Sequence, residues 1–272
     1  MVRIEDLEAR ALPEKERQGQ ALADVVRDVL AQTTILRLQS QVHPVEAHSV
    51  ICDRIMRSGR AAWLRDDVTD QSRPYRIGVA PGGETILVSQ AGPVSEDLHV
   101  AAIEIYGKHN LVRMPTAPWI PEPELEDQTI SLTVLTPIRY SRAEESKTRG
   151  SRLWQRPPEG PLLLRTLHTR LTMVAAALGM NEPIERPSPA GLKRIPGHIV
   201  FSDYMPYVRK SQRTGSMISY SGWVGRDIYQ VSASMQREVQ ALLAFGEVWG
   251  VGKGTTVGAG SFYTDNANAG EA

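Results

Sequence analysis

Between Gly250 and Gly260 the chain reads Gly-Val-Gly-Lys-Gly-Thr-Thr-Val-Gly-Ala-Gly, five glycines in eleven residues around Lys253, Thr255 and Thr256. Glycines expose backbone N–H groups, and a lysine with two hydroxyls among them suits an anion such as a phosphate. The segment does not spell the nucleotide-binding loops. Lys253 is followed by Gly254 and no glycine lies five residues before Gly252, so GxxxxGK[ST] fails; GxGxxG fails at Thr255 and at Val257. Only twelve residues follow Gly260, so no helix or βαβ unit is expected beyond the loop. The alternative is a flexible loop joining a helix to an edge strand, and Lys253 among the glycines favours anion contact.

Six histidines are available for proton transfer. His43 and His48 flank the start of a helix expected over Val45–Met56. His48 shares a face of it with Cys52, and Arg54 and Arg57 follow one to two turns on, a spacing that allows an imidazole and guanidiniums to converge there. Each histidine has a plainer reading as a surface or capping residue. His168, between Leu167 and Leu171, reads as structural or partly buried, and His99, His109 and His198 have no supporting neighbours. No metal constellation stands out: there is no HExxH and no paired-cysteine spacing, and Asp66-Asp67 with Asp70 reads as a turn. No cofactor is expected.

The charge is divided. Residues 1–138 hold 14 Lys+Arg and 20 Asp+Glu, a net −6, whereas 139–253 hold 17 and 9, a net +8. The overall zero argues against a blanket nucleic-acid binder, but the second half is a basic body. Arginine supplies 25 of the 31 basic residues, a choice that suits phosphates and base edges and that a GC-rich genome would also produce. Arg209, Lys210 and Arg213 accompany Tyr204, Tyr207 and Gln212, combining phosphate donors with stacking rings. Arg139 opens a further basic stretch that runs to Arg156 and includes Trp154. The one cysteine cannot close an internal disulfide, no apolar run approaches the length of a membrane span, and the first residues lack a secretion pattern. A cytoplasmic protein without membrane partners is expected.

The elements that position these residues follow from periodicity and punctuation. Pro115, Pro118, Pro121 and Pro123 interrupt any helix or central strand, which sets a domain boundary near residue 128. Beyond it, Thr129–Thr136 alternates as a strand, and Leu162–Leu178 carries apolar residues at helical spacing up to Gly179. Strands His198–Phe201 and Met217–Val231, a helix Ser234–Gly246 and a strand Ser261–Thr264 complete the order βαββαβ, with a disordered tail over 265–272. The first half reads similarly, with strands at Ile35–Leu38, Tyr75–Val79 and Thr85–Ser89, helices at Val45–Met56 and Ser95–Tyr106, and an added amphipathic helix over 14–31. The expected class is α+β, two tandem ferredoxin-like (RRM-like) domains over 1–128 and 129–264.

Gly222-Trp-Val-Gly-Arg-Asp-Ile-Tyr229, Leu242-Leu-Ala-Phe-Gly-Glu247 and the glycine loop together resemble the carboxy-terminal signature of the CRISPR-associated endoribonucleases that cut repeat RNA, Cas family six of the RAMP superfamily. Leu135-Thr-Pro-Ile-Arg139 with the following helix, and Tyr207–Gly215, resemble further segments of that family, so the likeness spans roughly 129–263. The resemblance implies binding of CRISPR repeat RNA and metal-independent cleavage by ribose 2′-OH attack, leaving a 2′,3′-cyclic phosphate and a 5′-hydroxyl. It also implies a product (crRNA) passed to other Cas effector subunits. On that reading the base falls to His48, preferred over His43, with Arg54 and Lys253 against developing charge. RNA contacts fall to Arg139, Arg209, Lys210, Gln212 and Arg213, and to Gly252, Lys253, Gly254, Thr255 and Thr256 of the loop. Two rivals remain: a RAMP subunit that grips repeat RNA without cutting it, and a nucleotide-dependent enzyme using the glycine loop.

Overall fold

The computed structural model describes residues 21–39, 75–80, 85–91, 111–114, 126–140, 157–210, 217–252, 254–255 and 258–266. They form two antiparallel sheets and three α-helices. The expected helices Val45–Met56 and Ser95–Tyr106 lie outside these residues, as does 14–20 of the first amphipathic segment.

The amino-terminal sheet contains β1 (Thr33–Gln39), β2 (Tyr75–Val79), β3 (Thr85–Ala91) and β4 (Leu111–Met114), in the order β2-β3-β1-β4. β1 pairs antiparallel with both β3 and β4. β4 was not anticipated: four residues just before Pro115 are too short to show an alternating pattern.

The second sheet, in the order β6-β7-β5-β8, contains β5 (Gln128–Ile138), β6 (Leu192–Lys210), β7 (Met217–Val231) and β8 (Phe262–Asn266). Helix α2 (Gly160–Ala177) connects β5 to β6, and α3 (Gln236–Trp249) connects β7 to β8. Ile130, Leu132 and Val134 of β5 are buried under the helices together with Leu163, Leu167 and Leu171 of α2 and Val239, Leu242 and Phe245 of α3. Burying a side chain of this size contributes about 1.5–3 kcal/mol, so this layer dominates the stability of the half. Helix α2 stops where expected. Gly179 takes φ +83°, its N–H reaches Ala176 O (3.0 Å), and Met180 N–H reaches Ala175 O (2.9 Å), which satisfies carbonyls that the helix end would leave open.

The bounds of β6 and β8 differ from the sequence expectation in ways that matter here. β6 runs from Leu192 to Lys210 rather than over His198–Phe201, because Pro196 and Pro206 sit where its pairing with β7 shifts register, places that tolerate proline inside a strand. The first shift is pinned by Asp227 of β7, which is fully buried, accepts Gly197 N–H at 2.8 Å and pairs with Arg194. β8 runs to Asn266, so Asp265 and Asn266 belong to a strand paired with β5 rather than to a tail; residues 267–272 lie outside the described set.

Helix α1 (Leu22–Ala31) buries Leu22, Val25, Val26, Val29 and Leu30, spaced as one helical stripe. The stripe packs on α3 and α2, so a helix from the first half of the chain completes the core of the second. Arg237 of α3 meets Asp24 at 3.3 Å in an exposed ion pair of little energetic weight.

Candidate functional site

The glycine loop leaves α3 at Gly250, whose N–H closes the helix on Gly246 O at 2.6 Å. Gly250, Gly252, Gly254, Gly258 and Gly260 all have positive φ. At Gly260 the need is double: φ is +72°, and a Cβ there would overlap the carbonyl oxygen of Val251. The loop is seated on the end of β5. Gly260 N–H donates to Pro137 O (3.0 Å), Val251 N–H to Gly260 O (3.0 Å), and Ala259 N–H to Gly254 O (3.0 Å). Thr136 ties it twice, its hydroxyl donating to Gly258 O at 2.7 Å and accepting from Ser261 N–H at 2.9 Å. The Leu135–Arg139 segment is therefore the anchor of the loop. The amides of Val251, Ala259, Gly260 and Ser261 are engaged inside the protein.

The amino-terminal sheet meets the loop through a buried polar seam. Arg76 of β2 is 1% exposed; its Nη1 donates to Glu247 O at 2.6 Å and its Nη2 to Ser261 Oγ at 2.8 Å. Val79 N–H also donates to Ser261 Oγ (3.1 Å), Ser89 Oγ to Val248 O (2.8 Å), and Trp249 Nε1 to Thr33 Oγ1 (3.2 Å). Two carbonyls of the last turn of α3, a place that favours cations, are thus capped from the other sheet. Arg170 of α2 joins them: its Nη2 donates to Tyr75 O at 3.2 Å, and its guanidinium carbon lies 5.6 Å from the Trp249 ring centroid.

The seam holds two guanidiniums and the carboxylate of Glu247. Dehydration first, and the charge of Arg170 second, pull Arg76 down to about 9, with Glu247 opposing. Arg76 remains cationic at neutral pH. Burial raises Glu247 above the usual carboxylate range, although its Oε1 accepts Thr264 N–H (2.7 Å) and Thr264 Oγ1 (2.5 Å).

The residues singled out in the sequence fall in three places. Gly252, Gly254 and Thr255 are buried in the loop, with Gly252 so close to the Arg139 carbonyl that a Cβ would overlap it. The half-buried Arg139 is thus brought to the loop. Arg209 and Lys210 lie at the far end of β6, where the strand pairs with Ile218 and Met217 of β7. His43, His48, Arg54, Gln212, Arg213, Lys253 and Thr256 lie outside the described residues. His168 is half-buried on α2 with Nε2 3.3 Å from Ile184 O, and burial lowers its pKa. Sequence reasoning missed Arg76, Arg170, Glu247 and Ser261 as parts of the loop's surroundings. One signal was present: in Tyr75-Arg-Ile-Gly-Val79 a charge interrupts a strand whose neighbours Tyr75 and Ile77 are buried, with a glycine two residues on, on the same face.

Residues 132–262, which include the anchor segment, α3 and the whole glycine loop, match the family model of the CRISPR-associated endoribonuclease Cas6. Over residues 132–262 the chain is a member of the Cas6 family. Among solved structures, a Cas6 product complex aligns with TM-score 0.55 and 16% identity, over 86% of this chain and 99% of that one. A Thermus thermophilus Cas6, also as a product complex, aligns with TM-score 0.53 and 15% identity over the same shares. A partial Cas6-RT-Cas1–Cas2 complex aligns with TM-score 0.52 and 11% identity, over 88% of this chain and 46% of that one. These likenesses establish a Cas6-like fold for the chain. No curated protein matches it. No helix among the described residues is long and apolar enough to cross a membrane.

Proposed function

We propose that this Cas6-family chain processes CRISPR repeat RNA by metal-independent cleavage. The observation that carries the reading is the family match over residues 132–262, which ends on a glycine loop anchored between two sheets. The basic balance of residues 139–253 and the Cas6 product complexes of the same fold support RNA as the substrate. The strand orders β2-β3-β1-β4 and β6-β7-β5-β8 support two ferredoxin-like units, the second complete as βαββαβ. They fit a division into units over 1–128 and 129–264, with α1 of the first lying across the helices of the second.

In the proposed reaction the ribose 2′-oxygen attacks the adjacent phosphorus and its proton passes to a base, His48 or His43. The bond from phosphorus to the 5′-oxygen breaks, and that oxygen takes up a proton. The products are a 2′,3′-cyclic phosphate and a 5′-hydroxyl. Lys253, Arg54 and the loop residues Gly252, Gly254, Thr255 and Thr256 would face the charge that builds on the phosphoryl oxygens. Arg139, Arg209, Lys210, Gln212 and Arg213 extend the RNA contact, and the processed RNA is handed on to other Cas subunits. End-labelled repeat RNA incubated with the protein in EDTA should be cut at one position, and a 2′-deoxy substitution at the attacking ribose should abolish the cut. Cleavage that survives the deoxy substitution, or that needs added divalent metal, would contradict the mechanism.

A further inference from the structure

One side chain of the amino-terminal sheet touches both ends of the glycine loop. Arg76 reaches Glu247 O in the last turn of α3, before the loop begins, and Ser261 Oγ just after it ends. To get there its guanidinium passes between two glycines distant in sequence. A Cβ at Gly78 would lie 2.7 Å from Arg76 Cζ, and one at Gly250 would lie 2.8 Å from Arg76 Nε. Either contact is closer than real Cβ atoms come, so both positions are cut to the shape of this arginine. Arg76 Nε has no hydrogen-bond partner among the described residues, so hydrogen bonding anchors the group only through its two terminal nitrogens.

We propose that Arg76 is a positioning residue, which clamps the two ends of the glycine loop against the amino-terminal sheet and thereby sets the loop's geometry relative to the half of the chain that carries His43 and His48. Its consequence for cleavage rests on the function proposed above. RNA affinity, spread over many basic residues, should depend little on the clamp. The cleavage step, which needs the loop and the base in one geometry, should depend on it strongly, since a misplacement of about 1 Å costs on the order of a hundredfold in rate.

The test compares wild type with Arg76→Lys, Arg76→Ala, Ser261→Ala, Gly78→Ala and the double variant Arg76→Ala/Gly78→Ala. Single-turnover cleavage of repeat RNA, repeat affinity, and amide exchange over 250–261 are read for each. Arg76→Lys keeps a cation but cannot reach Glu247 O and Ser261 Oγ as a fork; Ser261→Ala removes one arm of the clamp with little change in volume, so it serves if the arginine variants do not fold. The expected result is cleavage slowed by about tenfold to a hundredfold in Arg76→Lys and in Ser261→Ala, with affinity within about threefold of wild type, and faster exchange over 250–261. Gly78→Ala should slow cleavage by pushing the guanidinium aside, and the double variant should be no slower than Arg76→Ala. Equal rates in wild type and both milder variants, fully additive losses in the double variant, or unchanged exchange over 250–261 would each overturn the proposal. A wild-type chain that leaves repeat RNA uncut would overturn the functional reading instead, and the exchange measurement would then decide on Arg76 alone.

Discussion

Gly179 and Gly260 offer a matched pair for the claim that the loop is held by close backbone approach and not by conformational freedom alone. Their φ values are close, +83° and +72°, but a Cβ at Gly179 meets nothing within 4 Å, whereas one at Gly260 would overlap the Val251 carbonyl. Gly179→Ala should therefore cost only the left-handed backbone term, about 1–2 kcal/mol. Gly260→Ala adds a forced displacement that breaks Gly260 N–H to Pro137 O and Val251 N–H to Gly260 O, both 3.0 Å. Each broken bond costs about 1 kcal/mol, and more where a buried group stays unpaired. The sum is about 3–6 kcal/mol, a large part of the roughly 5–15 kcal/mol that holds an ordinary domain together. Urea denaturation of both variants beside wild type reads the two losses directly. A Gly260→Ala loss at least about twice that of Gly179→Ala is expected. Equal losses would refute the reasoning, because they would mean that the loop gives way to a methyl group as easily as an open helix end does.

Lys253→Ala should weaken repeat affinity and flatten its dependence on salt by about one in the log–log slope, the signature of one lost phosphate contact; affinities titrated between low and moderate salt check it. His168 is held below its ordinary value by burial, so unfolded chains bind its proton more readily than folded ones. Its contribution is present above pH 6.5 and is lost as pH falls through the lowered folded value, and His168→Gln should remove that part of the acid slope in melts taken across the window. Glu247 behaves oppositely. Its folded value is raised by burial, so stability falls as pH rises from the ordinary 4.5 through the raised value. Glu247→Gln, which keeps an acceptor for Thr264, should gain on wild type over that interval when the two are melted side by side.

The parts of the fold that were legible are those whose signal is local. β5, β7, α2 and α3 each carry a period that their own residues complete, and Gly179 marks the end of α2 within the same segment. The parts that were not legible depend on distant partners. Pro196 and Pro206 sit at register shifts that only the pairing with β7 reveals, one of them secured by a carboxylate 31 residues after Pro196. α1 showed its apolar stripe but not that α2 and α3 cover it. The glycine loop announced itself by composition, and its contacts with Thr136 and Arg139 gave the Leu135–Arg139 segment a physical role as its anchor. Arg76 stayed hidden because what it does depends on Glu247 and Ser261, more than 170 residues away in sequence.

The central claim, metal-free processing of repeat RNA, is tested most directly by the termini of the RNA that the protein carries. The protein is purified in EDTA from a host that also expresses a CRISPR array, and the bound RNA is sequenced with chemistry that reports its ends. Repeat-derived RNA ending in a 2′,3′-cyclic phosphate, lost in His48→Ala or His43→Ala, is the predicted result. Repeat RNA bound but uncut would contradict cleavage and make the chain a scaffold, and the absence of repeat RNA would contradict the account as a whole.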